Sequence, residues 1–277
     1  MRKRPLLPLL AAATLAAQEP LPFLDTDKGV EHGWAFTAGA RLMDQSTYMG
    51  SNRNRVGLEP LVAAEYDRRF YLGSSQVGPG FGGGVHLARQ GGFTWDLGAG
   101  IGDRRPETRS PLLDGMGDRR ADLFAGTGLH YQHQGFRAGL TLSCGLRDTA
   151  GNRATLTLGQ MIPLAPGWYL GVGLNGTWTD ANAMNYDFGI TPTQAANRSA
   201  LVAGGDPNLT AASAGPFTAP AGMRDVGARA GLSYRASARL VWLLEIHQAL
   251  LLGDIRNSPL VGRNNYGAAS AGFAYHF

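Results

Sequence analysis

The last fifteen residues, 263–277 (RNNYGAASAGFAYHF), decide the fold of this chain. Counting back from Phe277, every second residue is aromatic or apolar, beginning with Tyr275 and Phe273, and the residues between them are small or polar. A period of two with aromatic residues on one face is typical of a β-strand between two unlike environments. An alternation that runs to a terminal aromatic residue indicates an outer-membrane β-barrel.

The same alternation recurs along the chain and predicts an all-β fold, an antiparallel transmembrane barrel of about twelve strands. The predicted strands are residues 32–42, 55–66, 69–76, 81–89, 92–102, 119–133, 136–147, 153–164, 168–179, 224–236, 238–252 and 263–277.

The predicted connections sort by length. Five joins are tight, at 67–68, 90–91, 134–135, 165–167 and 237, and they alternate with six others at 43–54, 77–80, 103–118, 148–152, 180–223 and 253–263, four of which are long. Outer-membrane barrels have short periplasmic turns and longer external loops. The even strand count therefore predicts that both barrel ends of the chain lie on the periplasmic side.

Charged residues recur on the non-aromatic face of the predicted strands, which would place them in a polar lumen. A soluble β-sandwich shares the period but would pack its aromatic face inside. The alternating turn lengths and the terminal aromatic strand favour the barrel. The candidate lumen charges are Arg41, Glu59, Glu65, Asp96, Arg120, Asp122, Arg137, Arg147, Arg229, Arg235, Glu245 and His247.

The start of the chain is typical of a secretory signal peptide. Three basic residues, Arg2 to Arg4, precede an apolar run at 6–17 (LLPLLAAATLAA) that is too short to span a bilayer as a helix. Cleavage after Ala16 or Ala17 would remove it. We therefore expect three parts: the signal peptide at 1–17, a short periplasmic segment at 18–30 and the barrel at 31–277.

Composition argues against several other classes of protein. Without the three basic residues of the signal peptide, the formal net charge of +4 falls to about +1, which removes most support for nucleic-acid binding. The single cysteine, Cys144, lies on the apolar face and excludes a disulfide framework. Trp34, Trp168, Trp178 and Trp242 are expected near the membrane interfaces.

Four segments resemble the MipA/OmpV family of outer-membrane barrels. They are residues 48–72 (YMGSNRNRVGLEPLVAAEYDRRFYL), 184–199 (MNYDFGITPTQAANRS), 221–235 (AGMRDVGARAGLSYR) and 251–277. The resemblance covers most of 32–277 but is poor across 77–117.

The resemblance implies a monomeric barrel in outer-membrane lipid, which scaffolds a murein-hydrolysing lytic transglycosylase and a murein synthase. It also implies that Phe273, Tyr275 and Phe277 act as an assembly signal. Because soluble periplasmic partners reach only the short-turn side, the candidate contacts are Asp67, Arg68, Gln90, Gln134 and Pro166, with residues 18–31 beside them.

An enzymatic role is not predicted. His130 with Asp122, and His247 with Glu245, are the possible catalytic pairs, but no serine lies in a recognisable nucleophile context. Six histidines without clustered spacing give no metal site, and Asp180, Asp187 and Asp206 are expected to be solvated loop residues. No cofactor is predicted.

A narrow channel for small solutes, or an adhesin, is the alternative function. Twelve strands lie between the filled eight-stranded and the open sixteen-stranded barrels. Mixed charges on the inward face favour internal salt bridges, so we expect a narrow or closed lumen. The long segment 180–223 is expected to be ordered in its first half and to fold over the barrel mouth, with a mobile loop at 200–220.

Overall fold

The computed structural model describes residues 32–74, 77–78, 80–147 and 150–277, and these form a closed barrel of twelve antiparallel strands. The predicted signal peptide and periplasmic segment lie outside the described residues. The strands are β1 (Trp34–Ser46), β2 (Asn54–Tyr66), β3 (Phe70–Ser74), β4 (Phe81–Gln90), β5 (Phe93–Ile101), β6 (Leu123–His133), β7 (Phe136–Gly145), β8 (Asn152–Ala165), β9 (Trp168–Thr179), β10 (Gly222–Arg235), β11 (Leu240–Leu251) and β12 (Asn265–His276).

Each strand pairs with its neighbour in the chain, and the first pairs with the last. The β1–β12 ladder runs from Thr37 opposite His276 to Gln45 opposite Ala268. Beyond it, the Phe277 N–H donates to the Phe36 carbonyl over 2.9 Å. Closure of the barrel leaves neither terminal strand with a free edge.

The two faces of the wall have opposite chemistry. On β2, the outward side chain of Leu58 is 70% exposed, whereas the inward Glu59 beside it is 5% exposed. The large exposed apolar side chains follow this outward face around the barrel. Apolar outside and polar inside is the pattern of a membrane barrel and the reverse of a soluble sandwich.

Connections at the two ends differ in length, as predicted. The tight turns are 67–69, 91–92, 134–135, 166–167 and 236–239, and the loops are L1 (47–53), L2 (75–80), L3 (102–122), L4 (146–151), L5 (180–221) and L6 (252–264). Strand β1 begins and strand β12 ends at the side of the barrel that carries the tight turns, and this side is periplasmic in barrels of this kind.

Loop L5 contains two helices that were not expected, α1 (Ala181–Phe188) and α2 (Pro192–Ala203). Asp180 caps α1 by accepting from the Ala183 N–H over 2.8 Å. Thr191 and Gln194 form a capping box at the start of α2, with Pro192 in the first turn. None of the helices in the described part of the chain is long and apolar enough to cross a membrane.

Candidate functional site

Helix α1 enters the outer mouth of the barrel. Its Met184 and Phe188 are buried against the inward-facing Leu251 of β11 and Tyr266 of β12, with Ile255 of L6 in the same cluster. These apolar contacts hold the helix inside the ring of strands. The expectation that the first half of segment 180–223 is ordered at the mouth is confirmed.

Three further loops pack on L5, and together L1, L3, L5 and L6 form what we call the cap. A second apolar cluster joins Tyr48 of L1, Leu113 of L3, Ile190 of L5 and Leu260 of L6, all nearly inaccessible. Burial of this kind requires the loops to adopt one packed arrangement. The cap is therefore a folded layer over the barrel.

Arg198 of α2 fastens L5 to L3. Its side chain is fully buried and donates to the carbonyls of Ser213, Leu112 and Asp114 over 2.8 to 2.9 Å. Burial lowers the pKa of Arg198 from its ordinary value. A single guanidinium thus satisfies carbonyls from two loops, at a site where carbonyls without donors would be costly.

Loop L1 is tied to L6 in the same way. The Tyr48 hydroxyl donates to the Leu260 carbonyl over 2.8 Å, and burial raises the pKa of Tyr48 to about 12 despite the nearby Arg105. Ser258 of L6 donates to the Phe188 carbonyl over 2.7 Å. These bonds connect three of the four loops.

Beneath the cap, three arginines surround one buried aspartate, and we call Arg105, Arg119, Asp187 and Arg224 the mouth cluster. Arg105 donates to the Asp187 carbonyl over 2.9 Å, Arg119 lies 3.2 Å from Oδ1 and Arg224 lies 3.7 Å from Oδ2. Arg119 also stacks on the Tyr186 ring at 3.9 Å. The prediction that Asp187 is a solvated loop residue is wrong, because α1 carries it into the mouth.

The pKa values of the mouth cluster reflect this crowding of positive charge. Burial, together with the neighbouring Arg119, lowers the pKa of Arg105 to about 9. Burial works to raise the pKa of Asp187, but Arg119, Arg153 and Arg224 together hold it below its ordinary value. The mouth cluster therefore favours the ionised carboxylate of Asp187 and disfavours the charged form of Arg105.

Asp122 and Arg153 form a second ion pair beside the mouth cluster, at 3.1 Å, with both side chains nearly buried. Burial raises the pKa of Asp122, although Arg153 opposes the shift. A cavity of about 90 Å³ lies between this pair and the mouth cluster.

Most of the candidate lumen charges lie on the inward face of the strands. Arg41, Glu59, Glu65, Asp96, Arg137, Arg229, Arg235, Glu245 and His247 are at inward positions of the wall, and Asp122 lies buried just before β6. Among them, Arg41 and Glu59 pair at 3.1 Å at neighbouring strand positions.

Two of these candidates are placed differently. Arg120 and Arg147 are exposed and lie in loops, because β6 begins at Leu123 and β7 ends at Gly145. The Arg147 guanidinium donates to the Ala121 carbonyl over 3.1 Å. Assigning both to the lumen was wrong, since the alternation was extended past the ends of these strands.

A network of histidines and carboxylates lies inside the wall of β2 to β6. His86 pairs with Asp96, the His130 Nε2 lies 3.3 Å from Asp96 Oδ2, and Arg89 pairs with Glu65 at 3.1 Å. His130 thus faces Asp96 and not Asp122, which was its candidate catalytic partner. Within the described ranges, no three His, Cys, Asp or Glu side chains are arranged to hold a metal ion.

Close packing fills this part of the lumen. The Tyr71 ring lies over Gly84 and Gly98, where an added Cβ would come within 2.4 and 2.6 Å of its hydroxyl oxygen. Only glycine permits such an approach. The inward face of the wall therefore places a bulky tyrosine against two glycines, and little of the lumen remains open between them.

The periplasmic turns expose their side chains. Asp67, Gln90, Gln134 and Pro166 are exposed and Arg68 is half-buried. Asp67 and Arg68 have positive φ angles of 50° and 52° at the two central positions of a tight turn. Such turns favour Asn-Gly, so an arginine at the second position adopts a strained conformation.

An aromatic girdle surrounds the barrel just above these turns. Ring pairs at 4.6 to 6.4 Å occur between neighbouring side chains, namely Trp34–Tyr66, Phe93–Tyr131, Tyr131–Phe136, Trp168–Tyr234, Trp242–Phe273 and Tyr275–Phe277. Three of the tryptophans expected at an interface lie in this girdle, and Trp178 lies near the outer end of β9. All of the predicted assembly-signal residues belong to it.

The arginines of the mouth cluster were missed by sequence reasoning. Arg105 lies in a predicted loop, and Arg119 and Arg224 stand at the starts of predicted strands, so nothing in the sequence indicated that they meet Asp187. Helix α2 of the cap, in contrast, could have been predicted from the sequence. Thr191, Pro192 and Gln194 have the spacing of a capping box.

The solved structures that match this chain do so at low sequence identity. Neisserial surface protein A has 12% identity and a TM-score of 0.27, covering 88% of this chain and 97% of its own. The NanC porin has 6% identity and a TM-score of 0.39, covering 88% and 99%, and Pseudomonas putida OprB has 7% and 0.41, covering 88% and 94%. No curated protein matches the sequence.

The closed antiparallel wall, its apolar outer face and its sorted connections define the chain as an outer-membrane β-barrel protein. The family model described as MltA-interacting protein MipA matches residues 37–277. The chain belongs to that family.

Proposed function

We propose that this barrel is a non-enzymatic scaffold, which holds a lytic transglycosylase and a murein synthase at the periplasmic face of the outer membrane. Support for the first partner comes from the family name, which describes an MltA-interacting protein. The second partner rests on the resemblance to the MipA/OmpV family. The protein would act as a monomer.

The observation that carries the proposal is the closed outer end. Helix α1 fills the mouth, and inward side chains such as Arg41 and Glu59 remain at most 7% exposed, although an open aqueous channel would expose them. A barrel with a filled interior is better suited to presenting a surface than to passing solutes.

The periplasmic turns are the surface that soluble periplasmic proteins can reach. Asp67 and Arg68 display opposite charges at one tip, while Gln90, Gln134 and Pro166 are uncharged contacts at the others. The Asp67 carboxylate accepts from the Gly33 N–H over 2.6 Å, which fixes this tip against the start of β1. A fixed tip presents its charges without a large entropic cost on binding.

Co-precipitation with purified partners tests the proposal. The rim variant combines Asp67→Asn, Arg68→Gly, Gln90→Ser, Gln134→Gly and Pro166→Ala, changes chosen to preserve the turns. We expect the wild-type barrel to retain a lytic transglycosylase and the rim variant to lose it by at least about tenfold.

The matched control carries Arg120→Gln and Arg147→Gln, which remove exposed charges at the outer end and should leave binding unchanged. Retention by the rim variant equal to that of wild type would contradict the rim as the contact surface. Single-channel recording addresses the alternative: steady conductance would identify a narrow channel, and silence supports the scaffold.

A further inference from the structure

The cavity beneath the cap contains more positive charge than its carboxylates neutralise. Six arginines and three aspartates line it. Asp103 pairs with Arg109, Asp122 with Arg153, and Asp187 with Arg119 and Arg224. Arg224 also pairs with Asp225, which lies outside the cavity lining, so the excess positive charge belongs to Arg104 and Arg105. Among ion pairs of the described residues, none includes Arg104 or Arg105.

Guanidinium donors that face this cavity lack acceptors. Arg224 is 1% exposed and no group in the described part of the chain accepts from its Nη2, and the same holds for Nε and Nη1 of Arg119. A buried donor without an acceptor is costly, and more so when it is charged. An anion between these arginines would supply the missing acceptor oxygens.

The carboxylate oxygens in the cavity do not argue against an anion bound between these arginines. Asp187 Oδ2 and Asp122 Oδ1 also lack hydrogen-bond donors among the described residues, but each aspartate is ion-paired. Arg224 Nη1 lies 3.7 Å from Asp187 Oδ2, so a positive charge already faces that oxygen. Arg105, which has a buried guanidinium and no carboxylate partner, remains to attract a ligand.

We propose that this cavity binds a compact anionic group of a water-soluble solute, a carboxylate or a phosphate, with Arg105, Arg119 and Arg224 as its donors. The cavity volume of about 90 Å³ is enough for one such group. Arginine is the side chain best suited to both groups, since its fork of N–H donors matches their oxygens.

One residue of the cavity lining reaches the outer surface of the cap. Arg104 lines the cavity and is exposed, so a solute arriving from the medium meets this charge first. The site is walled by loop residues and by the buried Arg153 of β8 and Arg224 of β10, and none of the large lipid-facing side chains lines it, which favours a free solute over a lipid headgroup. The proposal is independent of the periplasmic scaffold.

Thermal unfolding and calorimetry of the full-length barrel in detergent test the site. Inorganic phosphate or acetate should raise the unfolding temperature, whereas sodium chloride at the same ionic strength should not. Arg105→Gln and Arg119→Gln should each weaken binding of the effective anion by about tenfold, because each removes a charged donor. Arg104→Gln, at the entrance, should weaken it by about threefold and avoids any disturbance of the buried cluster.

Arg120→Gln is the matched control, because this exposed arginine adjoins Arg119 but does not line the cavity. Its affinity should equal that of wild type, and anomalous gel migration of unboiled samples should show that every variant is folded. Equal effects of phosphate, acetate and chloride on wild type would overturn the proposal. So would loss of affinity in Arg120→Gln as large as in Arg105→Gln, or binding of a short-chain phosphatidate without binding of either free anion.

Discussion

At the outer end of the barrel, four loops fold together over buried charges, whereas at the periplasmic end five tight turns leave their side chains exposed below an aromatic girdle. The outer end is held by contacts between loops distant in sequence, such as Arg198 with Leu112 and Tyr48 with Leu260. The periplasmic end is held by neighbouring strands and by the membrane itself.

This difference separates two kinds of structural information. Turns and girdle follow from local sequence, because a strand's period and a turn's residues specify them. The cap depends on side chains that meet only after the barrel has closed. Changes at the periplasmic end should therefore affect membrane assembly and partner binding, and changes at the outer end should affect the packing of the cap.

Deletion of Phe277 should have the largest effect, at the periplasmic end. We expect little of the variant to reach the outer membrane in cells, because the proposed assembly signal is truncated and the Phe277–Phe36 backbone bond is lost. Heat-modifiable gel migration in isolated outer membranes measures the folded fraction. Refolding of the same variant in detergent should be close to that of wild type, since no assembly machinery acts there.

Phe36→Ala is the control for that deletion, because it removes an aromatic ring that stacks on Trp34 of the girdle at 5.5 Å without altering the end of the chain. Assembly of Phe36→Ala should exceed that of the truncated chain. An equal defect in both would show that girdle packing, and not a terminal signal, limits assembly.

Asp187→Asn should have the next largest effect, confined to the outer end. Removal of the charge leaves Arg119 without its carboxylate partner and Arg224 with Asp225 alone, which should destabilise the cap by about 3 kcal/mol. Limited proteolysis of L5 should become much faster while the barrel remains folded. Asp206→Asn, in the same loop but half-buried and in none of the ion pairs of the described residues, should leave proteolysis unchanged. A faster rate there would assign the effect to loop charge in general.

The comparison of wild type with Asp187→Asn also predicts how the proteolysis rate of L5 depends on pH. Because the pKa of Asp187 is lower in the folded protein than its ordinary value of 3.8, its ionised form stabilises the cap above that pH. As pH falls below 3.8 and through the folded pKa, this contribution is lost. The difference in proteolysis rate between wild type and Asp187→Asn should therefore shrink on acidification, and a constant difference would contradict an ionic role.

The sequence predicts the wall better than it predicts the cap. Alternation located all twelve strands, and a position such as Glu59 could be assigned inward because its neighbours Leu58 and Pro60 lie on the opposite face. It failed at Arg120 and Arg147, where polar residues continue the apparent period into loops. Asp187 appeared to be one more loop carboxylate, because its burial depends on arginines from L3 and β10 that no local pattern connects to it.

Thr191→Ala should weaken the start of α2 by about 1 kcal/mol, since the side chain caps the Gln194 N–H. Hydrogen exchange of α2 amides should accelerate, with smaller changes elsewhere in the cap. Thr193→Ala, two residues later and exposed, should leave exchange unchanged or slightly slower, because alanine favours the helix interior. Similar acceleration in both variants would exclude the capping box as the cause.

Arg68→Gly should have the smallest effect on stability, and its sign distinguishes a strained turn from an ordinary one. Glycine removes about 1 kcal/mol of steric cost from the left-handed backbone conformation. It also loses more conformational entropy on folding, which costs a similar free energy, so the denaturation midpoint should be unchanged or slightly higher. Arg69→Gly changes the next residue, which has no positive φ to relieve, and should lower the midpoint. If Arg68→Gly is as stable as wild type but no longer binds the transglycosylase, then the Arg68 side chain contacts the transglycosylase. The strained backbone at this turn would then serve partner binding and not stability. A midpoint that falls as far as in Arg69→Gly would mean instead that Arg68 supports the turn itself.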